Sequence, residues 1–184
     1  MKYKFPLLLA ALFIFLLGGC TGKSENDSVT LKDMTITKEG DKKTKVHYGM
    51  DRSDAEKILG SGEEIMKFMI KYDPGVTIMY RNDKVAGIVL DVNSSDIFRA
   101  HRLQIGMHRD KVKEIYGEVY IIDTAEYIDY AYDTNSKKFI DSEPDVKLTQ
   151  EEMEDVYVIS VIFDEEGLVN RILLLDQKMA RYFM

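Results

Sequence analysis

The sequence predicts an α+β protein: two tandem helix-plus-antiparallel-sheet repeats that follow a signal peptide and a flexible tether. Three observations carry that prediction. The segment Gly49–Gly60 recurs further along the chain as Gly106–Gly117. Each copy is followed by short alternating apolar runs separated by turn residues, the pattern of half-buried strands and hairpins. A basic start, an apolar run and two small residues lead to Cys20, the only cysteine of the 184 residues.

The N-terminus comes first. Lys2 and Lys4 precede an apolar run that extends only from Phe5 to Leu17. A helix that spans a bilayer takes about 20 residues, so the layout fits a cleaved secretory signal better than a permanent span. Leu17-Gly18-Gly19-Cys20 resembles the bacterial lipobox. That resemblance implies signal-peptidase recognition at Leu17, Gly18 and Gly19 and lipidation at Cys20. The bland alternatives are an ordinary signal peptide followed by a free thiol, or a core cysteine. Residues 1–19 are then the lipoprotein signal peptide, and 20–28 the lipidated cysteine and a polar tether. Two or more acyl chains, such as a diacylglycerol and an added palmitate, would hold the protein on the extracytoplasmic face of a cell membrane. A single chain binds only marginally.

Composition bounds the rest. The formal net charge is -7, and cleavage at the lipobox would remove two of the lysines. An acidic chain is a poor partner for nucleic acid, whose binding is driven by Lys and Arg neutralising phosphates. One cysteine excludes an internal disulfide and a Cys-based zinc site. Stability must come from a hydrophobic core, which about 165 residues suffice to build.

Along the chain, residues 29–45 read as an edge strand over Val29–Thr37 and a charged turn over Gly40–Lys45. Repeat 1 covers 46–99 and repeat 2 covers 100–184. The two motif copies are identical at Gly, Met, Arg, Ile and the closing Gly. In the first, Asp51 is expected to cap the helix through backbone N–H groups, and Asp54 suits the positive end of the dipole. Ala55, Ile58 and Leu59 form one apolar stripe, and Gly60 ends the helix. His108 replaces Asp51 in the second copy and is a poorer cap, so that helix is expected to start a residue or two later. Val112, Ile115 and Tyr116 repeat the stripe, and Gly117 the stop.

The sheet elements of repeat 1 are a strand through Met66, Phe68, Ile70 and Tyr72, then a hairpin of Val76–Tyr80 and Val85–Val92. In repeat 2 they are Val119–Ile122, Tyr127–Tyr132, and a hairpin of Tyr157–Phe163 and Leu168–Leu175. When Tyr80 is paired with Phe163, the two hairpins lie further apart along the chain than the two helices do. The difference is an acidic insertion near 133–155. Within it, Thr149-Gln150-Glu151-Glu152 carries the reciprocal Thr-x-x-Glu cap of a helical turn.

A Gly-Met-x-Arg helix closed by Gly and followed by a small antiparallel sheet resembles the repeat of the β-lactamase inhibitor protein. It is also similar to the single repeat of the SmpA/OmlA (BamE) outer-membrane assembly lipoproteins. The resemblance covers about residues 46–176. It implies helices packed on one face of a joined sheet whose concave side grips a protein partner, without catalysis. The insertion, His108 and the absence of matching contact loops mean that β-lactamase inhibition is not carried over.

No catalytic constellation stands out. Gly49-Met50 and Gly106-Met107 read as a tight turn and a core-filling side chain. Arg52 and Arg109 read as partners of nearby carboxylates. His47, His101 and His108 lack any metal-protease spacing, and Asp141, Glu143 and Asp145 lack the glycine and closing Glu of a calcium loop. No metal, no catalytic residue and no cofactor beyond the covalent lipid are expected. Tyr127, Tyr130 and Tyr132 are the candidate partner-binding residues, because tyrosine supplies rigid area with a polar tip. The function expected is a membrane-anchored, non-catalytic protein-interaction module of the cell envelope: a scaffold, inhibitor or assembly helper. The alternative is a lipoprotein that captures a peptide, glycan or cation.

Overall fold

The computed structural model describes residues 28–94, 96–141 and 148–183. The expectations for 1–27, with Leu17, Gly18, Gly19 and Cys20, and those for Glu143 and Asp145 lie outside the described residues. Among the described residues, no helix is long and apolar enough to cross a membrane.

Strand-forming runs dominate, and all pair antiparallel. Strands β1 (Thr35–Lys38), β2 (Asp41–His47) and β7 (Phe98–Ala100) make a three-stranded sheet in the order β2-β1-β7. The larger sheet takes β3 (Glu63–Met66), β4 (Met69–Tyr72), β5 (Val76–Arg81), β6 (Lys84–Asp91), β8 (Ile122–Asp123), β9 (Tyr127–Asp133), β10 (Lys138–Ile140), β11 (Val156–Phe163) and β12 (Val169–Asp176). Its order is β10-β9-β11-β12-β6-β5-β4-β3, with β8 alongside β9. Helices are short: α1 (Arg52–Leu59), α2 (Arg109–Tyr116) and α3 (Gln177–Ala180). The class is α+β, mostly antiparallel sheet with few helices.

Alternation decides which side of the large sheet is core. Ile78, Tyr80, Ile88, Leu90, Ile128, Tyr130, Ile159, Val161, Ile172 and Leu174 point to one face and are buried. Ala55 of α1, Val112 and Tyr116 of α2, and Ile36, Val46 and Phe98 of the small sheet belong to the same core cluster. Both longer helices and the small sheet therefore cover one face, as helices this short require, since they are marginal alone. Among the described residues, the other face of the sheet is left largely open.

The two motif segments sit in matched backbone surroundings. Gly49 N–H donates to the Val85 carbonyl and Gly106 N–H to that of Val169, both at 2.7 Å. Val85 N–H returns a bond to Met50 and Val169 N–H one to Met107, both at 2.8 Å. Arg52 N–H reaches Asp83 and Arg109 N–H reaches Gly167. Gly49 and Gly106 share a φ of 80°, left-handed backbone that lets the chain turn from the sheet into each helix. The two hairpins also bulge at the same place, between Met79 and Tyr80 and between Ile162 and Phe163.

Several expectations need correction. β1 is the central strand of its sheet, not an edge, because β7 returns to pair with its free side. The charged stretch 40–45 is mostly strand β2; its lysines point outward from an edge while Val46 alone is buried. The run Met66–Tyr72 is two strands, since Lys67 and Phe68 form a turn and β3 folds back on β4. Val119–Ile122 contributes only its last residue to a strand, β8.

The capping roles of the two motifs are reversed. Asp51 makes no cap bond; its carboxylate meets Lys84 Nζ at 2.7 Å. His108 Nδ1 accepts from Asp110 N–H at 3.3 Å, and α2 starts at the position equivalent to α1. In the insertion, Thr149 and Glu152 do exchange reciprocal bonds, 2.7 Å and 3.2 Å. The turn they open is a 3-10 turn, Glu152–Asp155, that buries Met153.

Candidate functional site

The open face of the large sheet is a trough of about 780 Å³. Register explains its floor, because side chains of directly paired residues stand side by side. One row runs Ile122, Asp129, Ser160, Leu173, Val89, Thr77, Lys71 from β8 across to β4. A second row holds Tyr127, Ile162, Arg171 and Asp91. A third holds Ala131, Val158, Leu175, Gly87, Met79 and Met69. The floor is apolar with polar groups at set points, which is the composition of binding clefts generally.

One end of the trough is closed by the C-terminal segment. Met179 and Ala180 join Met69, Met79, Val158 and Leu175 in a separate apolar cluster. Tyr182 stacks on Phe68 at 4.8 Å. Asp176, fully buried, holds this arrangement. One of its oxygens caps α3 through Met179 N–H at 2.8 Å. The other accepts from Tyr48 Oη at 2.6 Å and Arg81 Nη2 at 2.5 Å. Glu154 adds ion pairs to Arg81 at 3.3 Å and to Lys178 at 2.6 Å. Burial, followed by the Asp176 carboxylate, raises the Tyr48 hydroxyl above the ordinary tyrosine range. It therefore stays protonated and donates.

Asp129 is the unusual group of the floor. It is 9 % exposed, and its Oδ1 is buried without a hydrogen-bond partner among the described residues. Desolvation raises its carboxyl above the usual range; the Ser160 hydroxyl opposes this. Buried polar atoms are nearly always paired, so an orphan on a cleft floor calls for an explanation.

The expected partner-binding tyrosines divide. Tyr127 lines the trough. Tyr130 and Tyr132 do not: they are 1 % and 4 % exposed, within the core. They share a face with Ile128, as alternation requires, but that is the face the helices cover. Tyr130 Oη donates to the Gly117 carbonyl at 3.1 Å, and its ring lies 5.3 Å from Tyr116.

The motif residues are structural. Met50 and Met107 pack against the core. Gly60 and Gly117 end their helices at φ of 85° and 84°. Arg52 pairs with Glu56 at 2.7 Å and stacks 5.0 Å over Tyr80. Arg109 pairs with Asp123 and stacks 4.7 Å over Phe163. His47 Nδ1 lies 2.8 Å from its neighbour's carbonyl. Among the described residues no cluster of His, Cys, Asp or Glu is placed to hold a metal ion.

Sequence reasoning missed Asp129, Ser160, Arg171 and the α3 cover. A signal existed for the first: an Asp in the middle of Tyr127-Ile-Asp-Tyr-Ala-Tyr132, where a strand otherwise holds apolar and aromatic residues. Comparison with protein-family models, curated proteins and solved structures finds no match.

Proposed function

We propose that the chain is a lipid-anchored protein of the extracytoplasmic face, built as a tandem pair of helix-plus-sheet repeats, whose open sheet face binds a protein partner without catalysis. The observation that carries this reading is the trough: an apolar, continuous strip of sheet with fixed polar points, left uncovered by the described residues while both helices crowd the opposite face. The tandem-repeat reading is supported by the matched bonds around Gly49 and Gly106. It is in keeping with the resemblance to β-lactamase inhibitor protein-like and SmpA/OmlA modules. The anchor reading rests on the lipobox-like Leu17-Gly18-Gly19-Cys20.

Two measurements test it. Radiolabelled palmitate is expected to enter the parent protein and not Cys20→Ala; equal labelling would remove the anchor. Protein captured from solubilised membranes should retain its partner, and Leu173→Arg, placed in mid-trough, should release it. Retention of the same partner by that variant would move the interaction off this face.

A second reading has one observation in its favour. The trough volume falls in the range of about 300–1,000 Å³ usual for small-ligand clefts. The protein would then capture a peptide or glycan directly, and the ligand would raise the melting temperature of the folded state.

A further inference from the structure

We infer that the trough takes a cationic side chain, the Lys or Arg of a partner peptide segment flanked by apolar residues, with Asp129 as its anchor and the Ser160 hydroxyl beside it. The inference rests on the reading of the open sheet face as a partner surface, and it names the chemistry of that partner.

Four observations lead there. First, Asp129 is nine-tenths buried, and among the described residues its Oδ1 has no hydrogen-bond partner. A carboxylate in that position is costly unless something pairs with it. Second, among the described residues the strands around it supply no cation. Asp129 faces Ile122 on β8 and Ser160 on β11 across the ladders, with Tyr127 and Ala131 on either side along its own strand. None of these is basic. The nearest basic side chain of the floor in strand order is Arg171 on β12, two strands away and one row over. Lys71 on β4 is five strands away.

Third, the surroundings are apolar. Leu173 is next to Ser160, Ile162 and Val158 flank it along β11, and all three line the trough. A peptide with an isolated positive charge between apolar side chains matches this floor. Its ammonium or guanidinium would give Oδ1 the charge-assisted bond it lacks. Fourth, a metal ion is a poorer fit, since the described residues place no set of three acidic or imidazole ligands together.

The test uses the protein purified from membranes in detergent and a fluorescent, end-blocked peptide with one Lys between Leu and Val residues. A matched peptide carries norleucine in place of the Lys. By anisotropy at neutral pH, the Lys peptide is expected to bind about tenfold more tightly than the norleucine peptide. Asp129→Asn should erase that difference while melting no lower than the parent. Equal binding of the two peptides by the parent, a preference that survives Asp129→Asn, or no binding of either peptide would each overturn the inference. The two levels are separable. A partner lost on Leu173→Arg but kept by Asp129→Asn leaves the trough as the interaction surface and removes only the cationic anchor.

Discussion

The segments Gly49–Gly60 and Gly106–Gly117 have the same backbone bonds but opposite capping arrangements. In the first, a good capping residue, Asp51, leaves the helix end to meet Lys84. In the second, a poor one, His108, does the capping. The starts of both helices nonetheless fall at the same position. What holds them is the set of three backbone bonds to the following hairpin and the left-handed glycine ahead of the turn. Tertiary pairing outranks the local cap.

The largest effect that would sharpen this comparison lies where the two halves differ. Among the described residues only the second half carries a capped helix after its hairpin, α3 over the trough, and Asp176 holds it with Tyr48 and Arg81 of the first half. Asp176→Ala should destabilise the protein by about 3 kcal/mol, because it removes the buried carboxylate that accepts from Arg81, Tyr48 and the α3 amide and leaves Arg81 only its weaker pair with Glu154 and its bond to Tyr48. Urea unfolding measures this, and Phe68 and Met69 should become accessible to hydrogen exchange or oxidation in the variant.

Next come the glycines. Gly49→Ala and Gly106→Ala should each cost about 1–2 kcal/mol, the strain of an L-residue in left-handed backbone. The two losses should be equal within error. A clear inequality by denaturant titration would break the equivalence of the two turns.

A gain of smaller size is expected at Asp129. Its carboxyl titrates above the unfolded value of 3.8, so the folded state holds this proton more tightly than the unfolded one. The resulting stability is complete below that value and is lost as pH rises through the folded pKa. At neutral pH, Asp129→Asn should therefore stabilise the protein by on the order of 1 kcal/mol, read as a higher melting temperature. The advantage should vanish in acid. A melting temperature lowered at neutral pH would mean that the carboxylate has a partner beyond the Ser160 hydroxyl in the free protein.

The smallest effects separate the two caps. His108→Ala should cost about 0.5–1 kcal/mol. Asp51→Ala should change stability too little to measure, because its pair with Lys84 is solvent-exposed. A reversed order in thermal melts would return the capping role to Asp51.

The sequence made much of the large sheet legible and little of its open face. Hairpins such as Val76–Tyr80 with Val85–Val92 carry their signal in alternation and a short polar turn, both local properties. Val85 and Val169 lie one position further apart in the chain than Tyr80 and Phe163, which reflects one extra residue in the second turn. β2 was not legible, since four of its seven residues are charged; its course depends on pairing with β1 rather than on a pattern of its own. The tyrosines show the limit most plainly. Alternation grouped Tyr130 with Tyr132 but carried no information about which side α2 would cover. Asp129 became a candidate only when the ladder set it beside Ser160, from which the insertion separates it in sequence.

The join between β12 and β6 has a consequence for how the molecule assembles. These are the last strands of the two hairpins, and the ladder Arg171–Leu175 against Gly87–Asp91 is what fuses the sheet. Everything from β3 to β6 can zip from near neighbours, but β6 keeps a raw edge until the distant β12 arrives. Completion is thus gated by this long-range pairing. A product truncated before Val169 would retain local hairpins yet expose an unpaired strand of Ile88, Val89 and Leu90, a ready nucleus for sticking to its own kind.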